Sequence, residues 1–201
     1  MLAHASDPTT VEKKRALRKE AMARRDALEA EFRARAARTV AERGLPFPVY
    51  RGEVFSAYAP MRSEFDPRPL IAKIAAAGGR IVLPAIVEGR IVFREHDPGA
   101  ALTAGVFGTS EPPARARELD PDVLLVPLLA FDAQGGRIGY GKGYYDQAIA
   151  RLKKSRRIGT VGLAFEAQRV EEVPVTERDQ RLDLILTEAG AHWVERSGKK
   201  R

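Results

Sequence analysis

Residues 122–126 form a short, mostly apolar segment, which is followed by a glycine-rich stretch and then by a helical pattern. An apolar run of this length, bounded by turn residues, is typical of a strand that is buried on both faces of a parallel sheet. Parallel strands need crossover connections, and strand-like and helical segments alternate along most of the chain. The pattern therefore predicts an α/β fold, with an open, mostly parallel sheet between two helical layers (α/β/α).

The remaining segments fit this fold. Further strands are predicted at 54–58, 80–83, 90–94, 157–164 and 184–186, the last of which we expect to be the final strand, and helices at 9–25, 26–44, 66–77 and 143–152. The first two helices, each opened by a predicted capping box (Thr9 with Glu12, Asp26 with Glu29), form an N-terminal helical arm at 9–44. We expect the arm to pack on one domain that spans 1–201, with disorder at 1–8 and 195–201.

The net charge of +7 is concentrated at the two ends of the chain. Residues 1–44 have a net charge of +4 and residues 195–201 of +3, whereas residues 45–194 carry 19 charges of each sign. Such basic segments suit a solvated helix face or an anionic ligand such as a polyphosphate. Because no nucleic-acid reader motif accompanies the charge, no nucleic-acid partner is predicted.

Composition excludes several classes of protein. There are no cysteines, so disulfides, thiolate nucleophiles and Cys-bound metals are ruled out. The longest apolar run, at 123–131, is far shorter than the roughly 20 residues of a membrane helix, and the N-terminus has no apolar secretion signal. We therefore expect a cytoplasmic protein without a membrane partner. The alternative is an organelle transit peptide at the Arg- and Ala-rich N-terminus, against which its acidic residues count.

The glycine-rich stretch carries the chemistry. Its sequence is Arg137-Ile138-Gly139-Tyr140-Gly141-Lys142-Gly143-Tyr144-Tyr145-Asp146. Glycines let backbone amides approach phosphate oxygens, the following helix adds its positive end, and Asp146 can hold a metal that bridges phosphates. A P-loop requires Ser or Thr where Gly143 stands, and a dinucleotide fingerprint requires glycine where Tyr144 stands, so the stretch is neither of these.

The same stretch, with the preceding residues 127–132, resembles the signature of the 5-formyltetrahydrofolate cyclo-ligase family, also called methenyltetrahydrofolate synthetases. Four more blocks resemble that family in the same order, at 14–18, 58–64, 164–168 and 173–183. The resemblance covers about residues 12–188. It implies a Rossmann-like sheet of the cyclo-ligase type.

The resemblance also implies roles for individual residues. ATP contacts would come from Lys14, Arg15, Ala16, Leu17, Arg18, Arg137, Ile138, Gly139, Tyr140, Gly141, Lys142, Gly143, Tyr144 and Tyr145. Folate contacts would come from Arg18, Ala59, Glu64, Tyr140, Gly141, Lys142, Gly143 and Tyr144. Lys142, Arg137 and Tyr144 would act in catalysis, and Asp146 and Asp179 would bind Mg²⁺.

The implied reaction consumes 5-formyltetrahydrofolate and ATP and yields 5,10-methenyltetrahydrofolate, ADP and phosphate. Its partners would be small molecules, and the chain would be a monomer or a weak homodimer. Phosphoryl transfer needs positioning and charge neutralisation rather than a nucleophile, which agrees with a chain rich in Gly, Lys, Arg and Asp at this stretch.

Two other functions remain open from the sequence. The same fold could use ATP on another folate or on a thiamine-type metabolite, because the glycine-rich stretch contacts the nucleotide rather than the second substrate. The second is a non-catalytic nucleotide- or RNA-binding module that uses the basic arm and tail, which would bind with a steep salt dependence.

Overall fold

The computed structural model describes residues 8–195. Its strands are β1 (Val54–Ser56), β2 (Arg80–Val87), β3 (Arg90–Glu95), β4 (Thr103–Ala104), β5 (Ser110–Glu111), β6 (Val123–Pro127), β7 (Ala130–Phe131), β8 (Arg137–Ile138), β9 (Gly159–Leu163), β10 (Leu184–Leu186) and β11 (Ala191–Trp193). Its α-helices are α1 (Pro8–Asp26), α2 (Ala30–Arg43), α3 (Arg68–Ala76) and α4 (Tyr144–Ser155).

The central sheet has seven strands in the order β11-β10-β9-β6-β1-β2-β3. Neighbouring strands from β10 to β2 are parallel, and the two edge strands, β3 and β11, are antiparallel to their neighbours. The mostly parallel α/β sheet predicted from the sequence is therefore confirmed. The chain leaves β1 towards β2 on one side and leaves β6 towards β9 on the other, so the strand order reverses between β1 and β6. Ligands of open α/β sheets bind at the carboxyl ends of strands at such a reversal.

Helices cover both faces of the sheet. Residues of α2 and α3, among them Val40 and Ile74, pack with Phe55 of β1 on one face. On the other face, Ile149 of α4 packs with Leu124 of β6. Successive residues of a strand point to opposite faces, so β1 and β6 contribute to both cores. The three-layer arrangement follows from this double burial.

Helix α1 lies apart from both layers, at the carboxyl edge of the sheet. Its Ala21 is fully buried in a small cluster with Leu129, which precedes β7, Ala130 of β7 and Ile138 of β8. The β7–β8 hairpin thus forms the surface on which α1 docks, whereas α2, the second helix of the predicted arm, packs on the sheet with α3. This docking brings the basic face of α1 next to the glycine-rich stretch.

Some predicted ends differ from the structure: β1 stops at Ser56 rather than at 58, and β2 continues to Val87 rather than stopping at 83. Three further local predictions also differ. The expected final strand, β10, is followed by β11, which completes a hairpin with it. The predicted capping box at Asp26 is wrong: Asp26 ends α1, its carboxylate accepts a hydrogen bond from Ser63, and α2 begins after Glu29 without a side-chain cap. The structure describes Pro8 as the first residue of α1, one residue before the predicted start at Thr9.

The predicted disorder at 1–8 and 195–201 falls largely outside the described residues. Within them, Pro8 belongs to α1. The connection at 97–120, for which no structure was predicted, contains the β4–β5 hairpin and a 3₁₀ turn at Val106–Gly108. Between residues 8 and 195, no helix has the length and apolar character needed to cross a membrane.

Candidate active site at the carboxyl edge of the sheet

Three segments meet where the strand order reverses: α1, the loop at 57–67 after β1, and the segment at 128–143 after β6. Hydrogen bonds join all three. Arg18 Nε of α1 donates to the Gly139 carbonyl at 3.0 Å, and Arg25 of the same helix donates to Ser63 Oγ at 3.0 Å and to the Tyr140 hydroxyl at 2.8 Å. The place where these segments converge, called the crevice below, is the candidate active site.

The predicted phosphate-binding cations of α1 face this crevice. Lys14 and Arg18 are four residues apart and therefore lie on one face of the helix. Both are half-buried, and Lys14 forms an ion pair with Asp179. Of the other residues predicted in this block, Arg15 and Ala16 are exposed, whereas the side chain of Leu17 packs on the core under α1.

The glycine-rich stretch has the backbone geometry that its sequence predicts. Gly141 has φ 94° and Gly143 has φ 70°, a region that L side chains rarely adopt. A Cβ atom on Gly141 would lie 3.2 Å from Cζ of Arg18, so a side chain there would press on that guanidinium. Helix α4 begins after Gly143 without a side-chain cap, which leaves its positive end open to an anion.

Arg137 and Asp146 tie the ends of this stretch together. Arg137 Nη2 donates to Asp146 Oδ1 at 2.8 Å, and its Nη1 donates to the carbonyl of Gln180. The Arg137 side chain is only 6% exposed, whereas Lys142 is exposed at the mouth of the crevice. Ile138, also predicted to contact ATP, has a buried side chain, so a contact from it would come from the backbone.

The two predicted metal ligands, Asp146 and Asp179, both accept hydrogen bonds from the segment 176–180. Asp146 Oδ1 accepts the Gln180 amide at 2.9 Å, and Asp179 Oδ2 accepts bonds from Lys14 and from the Thr176 amide and hydroxyl. These contacts are made by Asp146 Oδ1 and Asp179 Oδ2, so the second oxygen of each carboxylate would be the metal ligand. Mg²⁺ is commonly held by one or two carboxylates together with substrate phosphates and water, so this donor set fits it. Among residues 8–195, no cluster of three or more His, Cys, Asp or Glu side chains could hold a metal by itself.

Asp179 and Glu64 have opposite electrostatic environments. Burial raises the pKa of Asp179, but the hydrogen bonds from Lys14 and Thr176 outweigh burial and leave that pKa below its ordinary value. Burial also raises the pKa of Glu64, and there it prevails over the Met61 amide, Arg25 and Tyr140, which act to lower it. The Glu64 side chain is thus the less readily ionised of the two.

Glu64 lies on a second side of the crevice, whose side chains are more deeply buried. Glu64 is 7% exposed and its Oε2 accepts the Met61 amide at 2.8 Å. Tyr58 is buried and donates to the Phe65 carbonyl at 2.9 Å, and the buried hydroxyl of Tyr145 has no hydrogen-bond partner among the described residues. Ala59 is partly exposed at the rim.

Comparison with known proteins decides the family. The model of the 5-formyltetrahydrofolate cyclo-ligase family matches residues 10–188. The chain belongs to this family. It is therefore an enzyme of the ligase class, as its sequence predicts.

Individual relatives agree along most of the chain. This cyclo-ligase is 31% identical to the 5-formyltetrahydrofolate cyclo-ligase of Escherichia coli K12, over 82% of this chain and 94% of that protein. It is 28% identical to the mouse protein of the same name, over 87% of this chain and 93% of that protein. Among solved structures, the Aquifex aeolicus 5,10-methenyltetrahydrofolate synthetase aligns with a TM-score of 0.79 and 30% identity, covering 94% of this chain and 96% of that one.

The structure adds residues to the cyclo-ligase site that the sequence analysis missed. Arg25 is 1% exposed and contacts Tyr140. It lies seven residues after Arg18 and eleven after Lys14, a spacing that puts all three on one face of α1 and could have revealed it. Gln168 is also buried; its Nε2 donates to the carbonyls of Leu128 and Leu129 at 2.7 and 3.0 Å, which holds the segment that leads into the glycine-rich stretch.

A basic cavity elsewhere is separate from the crevice. It has a volume of about 820 Å³ and is lined in part by Arg156, Arg157 and Arg181. These residues precede β9 and β10, so the cavity opens at the amino edge of the sheet. The crevice is distinguished from it by the glycine-rich backbone and the residues that converge there, not by volume.

Proposed function

We propose that this cyclo-ligase converts 5-formyltetrahydrofolate and ATP into 5,10-methenyltetrahydrofolate, ADP and phosphate. One observation carries the proposal: the glycine-rich stretch contacts the basic face of α1 through Gly139 and the pocket of Glu64 through Tyr140. A phosphate-type site and a site suited to a heterocycle therefore share one loop. That is the arrangement which transfer of a phosphoryl group between two bound substrates requires.

The chemistry explains why a phosphoryl group is needed. The formyl group is an amide on N5, and closure of the ring onto N10 must expel its oxygen. In the proposed reaction the formyl oxygen attacks the γ-phosphorus and ADP leaves. N10 then bonds to the activated carbon and loses its proton, and the oxygen departs as phosphate. Oxygen leaves far more readily as phosphate than as hydroxide.

The residues divide this work between them. Lys142, exposed at the mouth of the crevice, would neutralise charge on the transferred phosphoryl group, and the open end of α4 would bind phosphate oxygens. Arg137 would hold Asp146 in place, and Tyr144, next to Gly143, would contact both substrates. Asp146 and Asp179 would hold Mg²⁺, which shields the phosphate charge when bound.

The side chain of Glu64 would select the folate. The pterin ring presents N–H donors along one edge, and a buried carboxylate is a strong acceptor for such donors. The tyrosines around Glu64 would supply flat, apolar contact area for the ring. Ala59 at the rim and the residues from Tyr140 to Tyr144 would complete the pocket.

A spectrophotometric assay tests this function. Purified protein is mixed with 5-formyltetrahydrofolate, MgCl₂ and ATP, and the near-ultraviolet absorption of the methenyl product is followed. We expect absorption to appear at the rate at which ADP is formed, and to require both ATP and Mg²⁺. ATP hydrolysis with another folate or a thiamine-type metabolite, but not with 5-formyltetrahydrofolate, would contradict the proposal and favour the first alternative substrate class.

A further inference from the structure

Arg25 is the largest side chain that is fully buried among the described residues. A guanidinium is charged at any physiological pH, and taking that charge out of water is costly unless partners compensate for it. Arg25 Nε donates to Ser63 Oγ and Nη2 donates to the Tyr140 hydroxyl, while the buried Nη1 has no partner within residues 8–195. The position of this residue therefore requires an explanation beyond packing.

The partners of Arg25 belong to the two loops that form the crevice. Ser63 is in the loop after β1 and is next to Glu64, and Tyr140 is in the glycine-rich stretch. Ser63 Oγ in turn donates to Asp26, whose Oδ1 lies 4.0 Å from Arg25 Nη2. The end of α1 is thus bonded to both sides of the site at once.

The Tyr140 hydroxyl interacts with both Arg25 and Glu64. It accepts the bond from Arg25 Nη2 at 2.8 Å, and its interaction with the Glu64 side chain acts to lower the pKa of that carboxyl. A phenol can accept one bond and donate another, so this hydroxyl is suited to bridge the cation and the carboxylate. Tyr140 itself is 39% exposed, with its ring at the surface of the crevice.

We propose that Arg25 is a positioning residue for the folate pocket: through the Tyr140 hydroxyl it fixes the Glu64 side chain and supplies the positive charge that a carboxylate needs at this buried place. The inference rests on the proposed function, because it takes Glu64 as the partner of the pterin. Arg25 is assigned a positioning role rather than a substrate contact, because it is 1% exposed and its hydrogen bonds go to Ser63 and Tyr140.

The groups that face Glu64 set the expected pH effect. They are the Met61 amide, Arg25 of α1, Tyr140 of the glycine-rich stretch, Tyr58 after β1 and Tyr145 of α4. Of the charged side chains among these, Arg25 is the cation, and its charge lowers the pKa of Glu64. Removal of the Arg25 charge must therefore raise the pKa of Glu64 further, so that, as the pH falls, Glu64 becomes protonated at a higher pH than in the wild type.

The position of Arg25 on α1 makes a selective test possible. Lys14 and Arg18 are on the same helix, so a variant that merely displaced α1 would weaken ATP as well as folate. We expect Arg25→Met to raise the KM for 5-formyltetrahydrofolate about tenfold, the usual effect of losing one charge-assisted hydrogen bond, and to leave the KM for ATP unchanged. Arg25→Lys should recover part of the loss, because it keeps the charge without the fork of donors.

Arg35→Met is the matched control. It makes the same substitution at an exposed arginine of α2 that pairs with Glu31, away from the crevice. Its KM values and pH profile should equal those of the wild type. An equal rise of both KM values in Arg25→Met would show that the residue only holds α1 in place, and would overturn the inference.

Tyr140→Phe supplies a second route, because Arg25→Met removes a buried charge and can prevent folding. Phe keeps the ring and removes the link between Arg25 and Glu64. If Arg25 acts through Tyr140, Arg25→Lys must cost less folate affinity in the Tyr140→Phe background than in the wild type. Independent, multiplying effects of the two substitutions would contradict the inference.

A titration without ligand separates this inference from the proposed function. The ¹³C carboxyl signal of Glu64, assigned by its absence from Glu64→Gln, is followed against pH in the wild type, Arg25→Lys and Arg25→Met. The Glu64 pKa should be highest in Arg25→Met, intermediate in Arg25→Lys and unchanged in Arg35→Met. If the wild type makes no methenyl product, the proposed function fails and this titration still decides the role of Arg25. An unchanged Glu64 pKa, with normal turnover in the wild type, defeats the inference alone.

Discussion

The two sides of the crevice use carboxylates in opposite ways. On the proposed nucleotide side, defined by Lys14, Arg18, Arg137, Asp146 and Asp179, each carboxylate accepts hydrogen bonds from a cationic side chain and from a backbone amide. On the proposed folate side, defined by Arg25, Tyr58, Glu64, Tyr140 and Tyr145, the carboxylate is buried, and Arg25, whose charge lowers its pKa, is hydrogen-bonded to Tyr140. As a result the pKa of Asp179 is lowered and that of Glu64 is raised.

The difference shows that burial alone does not decide how a carboxylate titrates. Asp179 is also partly buried, yet direct hydrogen bonds from Lys14 and Thr176 favour its charged form. The Glu64 carboxylate accepts a hydrogen bond from one backbone amide, that of Met61. There the effect of burial is larger than the effects that lower the pKa, so the pKa is raised. If the proposed assignment holds, the side for polyphosphate and metal benefits from carboxylates that stay charged, and the pocket for a flat heterocycle benefits from exclusion of water.

The largest effect should come from Lys142, which tests the nucleotide side. We expect Lys142→Ala to reduce kcat at least 100-fold, about the effect of losing one preorganised donor to a developing charge. Steady-state turnover with saturating substrates measures it. Lys154→Ala, which removes an exposed lysine from the last turn of α4, should leave kcat unchanged. Near-normal turnover in Lys142→Ala would refute the catalytic role of this side chain.

A pair of isosteric substitutions tests whether the two sides are separable. Glu64→Gln should raise the KM for folate about 10- to 100-fold without changing the KM for ATP. Asp179→Asn should raise the KM for MgATP by a similar factor without changing the KM for folate. Each variant serves as the control of the other, because each removes one negative charge from the crevice. If both variants weakened both substrates equally, the division into two sides would be wrong.

The pH dependence sharpens the comparison. The pKa of Glu64 is raised in the folded chain, so its carboxylate form, and folate binding with it, should be lost as pH falls through a value above that of ordinary glutamates. Profiles of kcat/KM against pH should show this acid limb for folate in the wild type. The limb should vanish in Glu64→Gln and should be absent from the ATP profile, because the pKa of Asp179 is lowered. A limb that persists in Glu64→Gln would assign it to another group.

The smallest effect concerns stability. Lys14→Ala should lower the free energy of unfolding by about 1 kcal/mol at neutral pH, the upper range for an ion pair that keeps some exposure. For a chain of this size that is a fall in Tm of roughly 2–4 °C, measurable by circular dichroism.

The sign of its pH dependence follows from Asp179. Because the pKa of Asp179 is lowered on folding, the contribution is complete above the pKa of the unfolded chain and is lost as pH falls through the folded value. The difference between Lys14→Ala and the wild type should therefore disappear in acid. Lys19→Ala, on the exposed face of the same helix, should change Tm little at either pH.

Most helices and strands could be predicted from the sequence because hydrophobic periodicity and turn residues determine them through neighbours only a few residues apart. The apolar run before the glycine-rich stretch became β6, and Gly44 ended α2 as expected. The capping box at Asp26 failed because the carboxylate bonds to Ser63, which is 37 residues away in sequence. Strand β11 was missed because three residues at a sheet edge carry too little pattern, and their pairing with β10 defines the strand.

The candidate site shows the same limit. The glycine-rich stretch was found from its own residue types, and Lys14 and Arg18 from the resemblance to the cyclo-ligase family. The structure brings Arg18 against this stretch. Arg25 was not found: its spacing places it on the helix face of Lys14 and Arg18, but nothing in the local sequence shows that it, unlike them, is fully buried. Its burial depends on how α1 docks on the β7–β8 hairpin.

By itself the sequence determined the family, the order of helices and strands and the glycine-rich backbone, because these depend on side-chain size, periodicity and φ preferences of neighbouring residues. Only the tertiary structure decided which charges meet: that Lys14 reaches Asp179 and that Arg25 reaches Tyr140. Such contacts join residues more than 100 positions apart, and their strength depends on burial, which exists only once the sheet has been covered by its helices.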